Sequence, residues 1–147
     1  MVLRECANNL VEGRSQPAPL LHNRGHQMDS SRLVGRSILV AEAEPFAALD
    51  VETGLRDAGA KVFGVHQLRD ALLMAEHPAL SAAVIAQRLG KDDTTAVCRR
   101  LTDLGIPFML HTRYDATEAR RQWPNAPVVA KPASPRELIS AVTGLLN

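Results

Sequence analysis

Few side chains in this sequence are of types that do chemistry, and the position best placed for it carries only a methyl group. The run Ala82–Ala86 reads as a strand buried on both faces, and it opens into the polar loop Gln87–Asp93. In open parallel sheets, ligands and reacting groups gather outside the carboxyl ends of the strands, yet this strand ends on Ala86. His111 closes another apolar run and has the chemistry of a general base or of a phosphorylated histidine. Its simpler role is that of a packed, hydrogen-bonded ring. Cys98 lies beside Val97 and Leu101 on one helical stripe, which favours packing over redox chemistry. His22 and His26 have no third ligand near them in sequence, so a metal site there is not expected. Arg99, Arg100, Arg113, Arg120 and Arg121 give local basic character, ordinarily a solvated face and otherwise a docking edge for a protein or an anionic partner. No helix-turn-helix that would read DNA accompanies them. With no nucleophile–base pair and no metal cluster, an enzyme in its own right is not expected.

These groups must be held by one domain, since 147 residues suit a single core and 46% hydrophobic residues suffice to fill it. The net charge of +1 gives no reason to expect nucleic acid or a membrane surface as partner. Five aromatic residues leave little for stacking on single-stranded bases. Cys6 and Cys98 do not make a disulfide framework, and no apolar run is long enough to span a bilayer or serve as a signal peptide. A cytoplasmic protein is the expectation.

Residues 1–35 are of different material. "GRSQPAPLLHNRGHQMDSSR" mixes Pro, Gly, Ser, Asn and His without periodicity and lacks the apolar surface that would offset the entropy of ordering it. We expect a disordered leader there and a folded domain over 36–147. Met28 is an alternative start, because "MDSSRLVGRSILV" leads directly into the first strand. Arg4, Arg14, Arg24, His22 and His26 would otherwise make a weakly basic arm.

From Arg36 onward, strand-like and helix-like texture alternate. Strands are expected at 37–41, 61–65, 82–86, 106–112 and 127–131. The helix after the first strand should bury Ala47, Val51 and Leu55 and start at Glu44 and Pro45. The second, over 67–77, should end at Pro78. The third, over 92–105, should bury Val97, Leu101 and Leu104, with Asp92 or Asp93 capping it alongside Thr94 and Thr95. The fourth, 115–123, is short and polar. The last opens on Ser134, Pro135 and Glu137, a capping box, and should bury Leu138, Ile139, Val142, Leu145 and Leu146. Five strands alternating with five helices imply an α/β three-layer sandwich with a parallel sheet.

Four stretches punctuate the strand ends: ILVAEAEP (38–45), AAVIAQRLG (82–90), IPFMLHTRYD (106–115) and VVAKPAS (128–134). In order and spacing they resemble the receiver domain of bacterial two-component response regulators, especially stand-alone receivers whose third strand ends in Asp-Val-Asn-Leu-Gly. The resemblance covers Arg36 to Asn147. It implies a flavodoxin-like sheet of order 2-1-3-4-5 with its site at the carboxyl edge. In that family two acids after strand one and an aspartate ending strand three hold Mg²⁺, and that aspartate takes a phosphoryl group from a histidine kinase. A Thr or Ser after strand four and a Lys after strand five grip the phosphoryl oxygens. Hard oxygen donors suit Mg²⁺, a carboxylate is the nucleophile, and the cations neutralise charge on the group in transfer.

Carried across, the match is partial. Glu42 stands at the first acidic position, Ala43 replaces the second acid, and Ala86 replaces the phosphoacceptor, whereas Thr112 and Lys131 match. Val128 stands where many receivers have a switch aromatic. Lys131–Pro132 resembles a bond that is typically cis in the family. The resemblance therefore implies a phosphorylation-incompetent pseudo-receiver in a two-component phosphorelay, acting by protein–protein contact, with Mg²⁺ binding lost or weak and no other cofactor. A histidine kinase or another signalling protein is the implied partner, a homodimer is left open, and DNA and membrane are not expected. The face built from the fourth helix, fifth strand and fifth helix is the candidate surface, with Arg113, Arg120 and Arg121 marking it. Glu42 and Lys131, without metal, should form an ion pair, and Glu44 should cap the first helix. Asp92 and Asp93 are the only carboxylates soon after Ala86 that could stand in as acceptors. The alternative is a sensor of a small anion or phosphometabolite, bound in room left beside Thr112 and Lys131.

Overall fold

The computed structural model describes residues 31–113 and 116–147. Met28, His22, His26 and the leader arginines lie outside the described residues, as does the start of the fourth predicted helix at Asp115.

Five parallel strands form one sheet: β1 (Ser37–Ala41), β2 (Lys61–Val65), β3 (Ala82–Ala86), β4 (Phe108–Thr112) and β5 (Val128–Ala130). Their order is β2-β1-β3-β4-β5, the expected 2-1-3-4-5. Every residue of β1, β3 and β4 is buried, so these strands read as unbroken apolar runs rather than as alternation. Residues at β2 and β5, on the edges, are partly exposed. Five helices cover the sheet: α1 (Pro45–Asp57), α2 (Leu68–Met74), α3 (Thr95–Asp103), α4 (Ala116–Gln122) and α5 (Pro135–Leu146).

Two cores result, one on each face. Ile38 and Val40 point toward Val51 and Leu55 of α1 and Leu138 and Val142 of α5. Leu39, Ile85 and Leu110 meet Ala71 of α2, Val97 and Leu101 of α3 and Ala119 of α4. This alternation along each strand is the period-2 consequence of the pleat. Helices α1 and α5 approach closely because Gly54 has no side chain: a Cβ there would lie 3.3 Å from that of Pro135.

Several expected details shift. The packed unit starts before the boundary drawn at Arg36, because Leu33 is fully buried and its amide donates to the Ala58 carbonyl. Ala48 rather than Ala47 completes the buried stripe of α1, and Leu104 is 40% exposed because it lies past the last helical residue of α3. Helix α2 stops at Met74, before Pro78 can act on it. The loop after β3 is not plain coil. Arg88–Leu89 pairs antiparallel with Asp92–Asp93 across a tight turn, with Gly90 at φ 66, in the left-handed region that a side chain would resist. The capping box at Ser134 and Glu137 forms as expected, both of its hydrogen bonds in place.

Candidate functional site

Parallel register brings the ends of β1, β3 and β4 and the turn after β5 to one edge of the sheet. Glu42 directly follows β1. Its amide donates to the Val65 carbonyl at 3.1 Å, and its carbonyl lies 2.9 Å from His66 Nδ1, which must therefore carry the proton. The Glu42 side chain is buried. Its Oε1 forms an ion pair with Lys131 Nζ, and its Oε2 accepts the Glu44 amide at 3.1 Å. Lys131 is placed by its own amide, which donates to the Thr112 carbonyl at 2.8 Å, and its peptide bond to Pro132 is cis. The expected Glu42–Lys131 pair is thus present, with side-chain exposures of 6% and 12%.

Ala86 ends β3 opposite His111 of β4 and is 3% exposed. Thr112 is 1% exposed, and its hydroxyl donates to Gln87 Oε1 at 2.7 Å. Thr94, also buried, directs its hydroxyl at the carbonyls of Ala86 (2.8 Å) and Gln87 (3.0 Å) and so fastens the end of β3 to the start of α3. Neither Gln87 nor Thr94 stands out in the sequence as a site residue. The available signal is their position: an amide directly after Ala86 and a hydroxyl at the next helix start. The two groups expected to face an anion already have partners within the protein, the Thr112 hydroxyl in Gln87 and the Lys131 ammonium in Glu42.

The donor set does not fit Mg²⁺. Such an ion wants several hard oxygens in octahedral array. Ala43 and Ala86 supply no side-chain oxygen, and both oxygens of Glu42 are engaged by an ammonium and an amide. Glu44 is turned away, accepting the Ala47 amide at 2.7 Å as the cap of α1. Asp92 and Asp93 sit exposed in the hairpin. Asp93 Oδ1 accepts the Thr95 amide at 3.0 Å, which holds its carboxyl below the usual range, so it helps to cap α3 while Thr94 takes the N-cap backbone position.

Cys98 is buried in the α3 stripe, and burial pushes its thiol up to about 12, as befits packing rather than reactivity. His111 is buried too. Burial first, and then the charge of Lys131, lower its pKa to about 4, with Glu42 opposing. It is packed as expected but not fully hydrogen-bonded: its Nε2 has no partner. The three arginines do not form one group. Arg113 lines a cleft against α1, while Arg120 and Arg121 are exposed on α4, where Arg121 pairs with Glu118 at 2.8 Å.

A doubly wound sheet of order 2-1-3-4-5, with an acid after β1, a threonine ending β4 and a lysine after β5, defines the receiver class of flavodoxin-like domain. A response regulator receiver protein from Sinorhizobium medicae is 30% identical, with a TM-score of 0.71 over 77% of this chain and 95% of that one. The chain therefore belongs to the response regulator receiver family, and its role is receiver-like, in two-component signalling. At 24% identity and TM-score 0.67, it is also similar to the receiver domain of a sensor histidine kinase from Pseudomonas aeruginosa, over 77% of this chain and 98% of that one. That structure carries a magnesium ion coordinated in its active-site cleft. The receiver domain of a Francisella response regulator matches at 22% identity and TM-score 0.66, over 76% and 96% of the two chains. No family model and no curated protein matches. Among the described residues, no helix is long and apolar enough to cross a membrane.

Proposed function

We propose that this chain is a pseudo-receiver: a signalling module that works by protein–protein contact and does not take the phosphoryl group its family is named for receiving. The observation that carries the proposal is Ala86 at the end of β3, in the position that the family gives to its acceptor aspartate. A methyl group cannot attack phosphorus. The engagement of Lys131 by Glu42 and of Thr112 by Gln87 supports the same reading, since the groups that would grip phosphoryl oxygens are already satisfied inside the protein. By the same reasoning the chain holds no Mg²⁺ as a working cofactor and catalyses nothing on its own.

Its effect then passes through a partner: a histidine kinase, another signalling protein, or a second copy of the chain. The proposed surface is the face of α4, β5 and α5, where Arg120 and Arg121 stand exposed. Neither DNA nor a membrane is a proposed partner, and the buried, unpaired Cys98 thiol suits action in the reducing cytoplasm.

Intact-mass spectrometry after incubation with acetyl phosphate and Mg²⁺ tests this. An unchanged mass is expected, whereas a phosphoryl adduct mapped to Asp92 or Asp93 would sink the proposal. The double reversion Ala43→Asp, Ala86→Asp is the positive control, and Mg²⁺-dependent labelling of that variant is expected.

A further inference from the structure

A cleft of about 600 Å³ lies between the hairpin after β3, the start of α3 and the helix α4. Its floor is apolar: Leu110 of β4 and Ala119 of α4 are buried there, and Trp123 adds a half-buried indole. Phe108 meets that indole edge-on, with ring centroids 5.7 Å apart, and so fixes its plane. The charged side chains on the rim are spent within the protein. Asp93 accepts the Thr95 amide, Glu118 pairs with Arg121, and Arg88 donates to the Lys91 carbonyl at 3.3 Å. The two glutamines that line the cleft are only half used. Gln87 Oε1 takes the Thr112 hydroxyl, which leaves its Nε2 without a partner. Gln122 Nε2 leans on Thr95 Oγ1 at 3.4 Å, which leaves its Oε1 without one. Among the described residues, His111 Nε2 is the one unpartnered side-chain polar atom shut off from water, so Gln87 Nε2 and the Trp123 indole N–H are open to solvent.

We propose that this cleft binds a neutral, planar nitrogen heterocycle of purine size, as a free base or a nucleoside. An apolar floor with an aromatic wall and a few open polar groups is the make-up of a small-molecule site, and the volume is that of a compact organic ligand. The ring would lie on Leu110, Ala119 and Trp123. Gln87 Nε2 would donate to a ring nitrogen, and Gln122 Oε1 would accept from an exocyclic amine. Glutamine amides suit such an edge because they offer a donor and an acceptor without charge. A plain hydrocarbon ring would cover these amides and leave them unpaired, at a cost. A phosphate is not favoured, since Arg88 is engaged and two carboxylates stand on the same rim. The inference does not depend on whether the chain can take a phosphoryl group.

Trp123 is the sole tryptophan of the chain, so its fluorescence reports on the cleft directly. The test is a titration of the full-length protein with adenosine, read by that fluorescence and by NMR of the Gln87 and Gln122 side-chain amides. A saturable fluorescence change with shifts at both amides is expected. Binding should be roughly tenfold weaker for purine riboside, which lacks the exocyclic amine, and for the variants Gln122→Leu and Gln87→Glu. Gln122 is exposed, so its replacement leaves the fold intact, and Gln87→Glu removes the donor while keeping an oxygen for the Thr112 hydroxyl. A response that never saturates, that ribose alone reproduces, or whose amide shifts fall away from the cleft overturns the proposal. Undiminished affinity in either variant would equally overturn it.

Discussion

Thr112 and His111 are neighbours on β4, and they enter two regions of opposite character. On the Thr112 side, at the edge where a receiver does its chemistry, the central polar groups are matched from within: Thr112 by Gln87, the carbonyls of Ala86 and Gln87 by Thr94, Lys131 by Glu42. On the His111 side, an imidazole nitrogen is left without a partner beside a cleft, with an open phenylalanine at its mouth. The edge is held by pairs among its own side chains, while across the strand one buried ring nitrogen is left unmatched.

The comparison is most sharply tested at the Glu42–Lys131 pair. Glu42→Ala leaves a largely buried ammonium without its counter-charge, and a loss of about 3–5 kcal/mol in stability is expected by chemical denaturation. Adding Lys131→Met should recover most of that loss, since the cost comes from the unpaired charge rather than from the missing contact. A double variant as unstable as the single one would mean that the edge is not held by self-matched charge.

A smaller effect is expected at Thr112→Val, which removes the hydroxyl that donates to Gln87. About 1 kcal/mol is the expected loss, with the melting cooperativity unchanged. No loss at all would show that the Thr112–Gln87 bond does not help to close the site.

The opposite sign is expected across the strand. His111→Leu replaces an unsatisfied ring by carbon of similar bulk, so stability at neutral pH should be unchanged or slightly higher. The pH dependence distinguishes the two regions further. Between pH 6.5 and about 4 the unfolded chain protonates this histidine while the folded chain does not, so stability should fall as pH falls through that window and flatten below it. Denaturant midpoints measured across the window should show His111→Leu losing this component. If the variant keeps the same slope, His111 is not the group responsible.

Much of this was legible before any coordinates. The run 82–86 reads as a strand buried on both faces, and 37–41 and 106–112 read as strands from their short aliphatic texture between turns. Helical spacing in α1, α3 and α5 placed the covering layers, and the Ser134–Glu137 box marked one helix start to the residue. Glu42, Ala43, Ala86, Thr112 and Lys131 could be aligned to a receiver because strand ends fall at a fixed edge of a parallel sheet. Less legible were the features that depend on one side chain finding another. Gln87 reaching Thr112 links residues 25 apart in the chain, and the hairpin over Arg88–Asp93 is too short for any period to announce it. Leu33 looked like leader because only its contacts with the folded domain bury it.

The sequence by itself determined the architecture and the alanine at the end of β3, because periodicity and residue type at a strand end are local properties. Only the tertiary structure decided how the remaining polar groups were settled. Whether a lysine, a threonine or a histidine is satisfied depends on which atoms the crossovers bring within about 3 Å, and that distance is set by the packing of elements far apart in the chain.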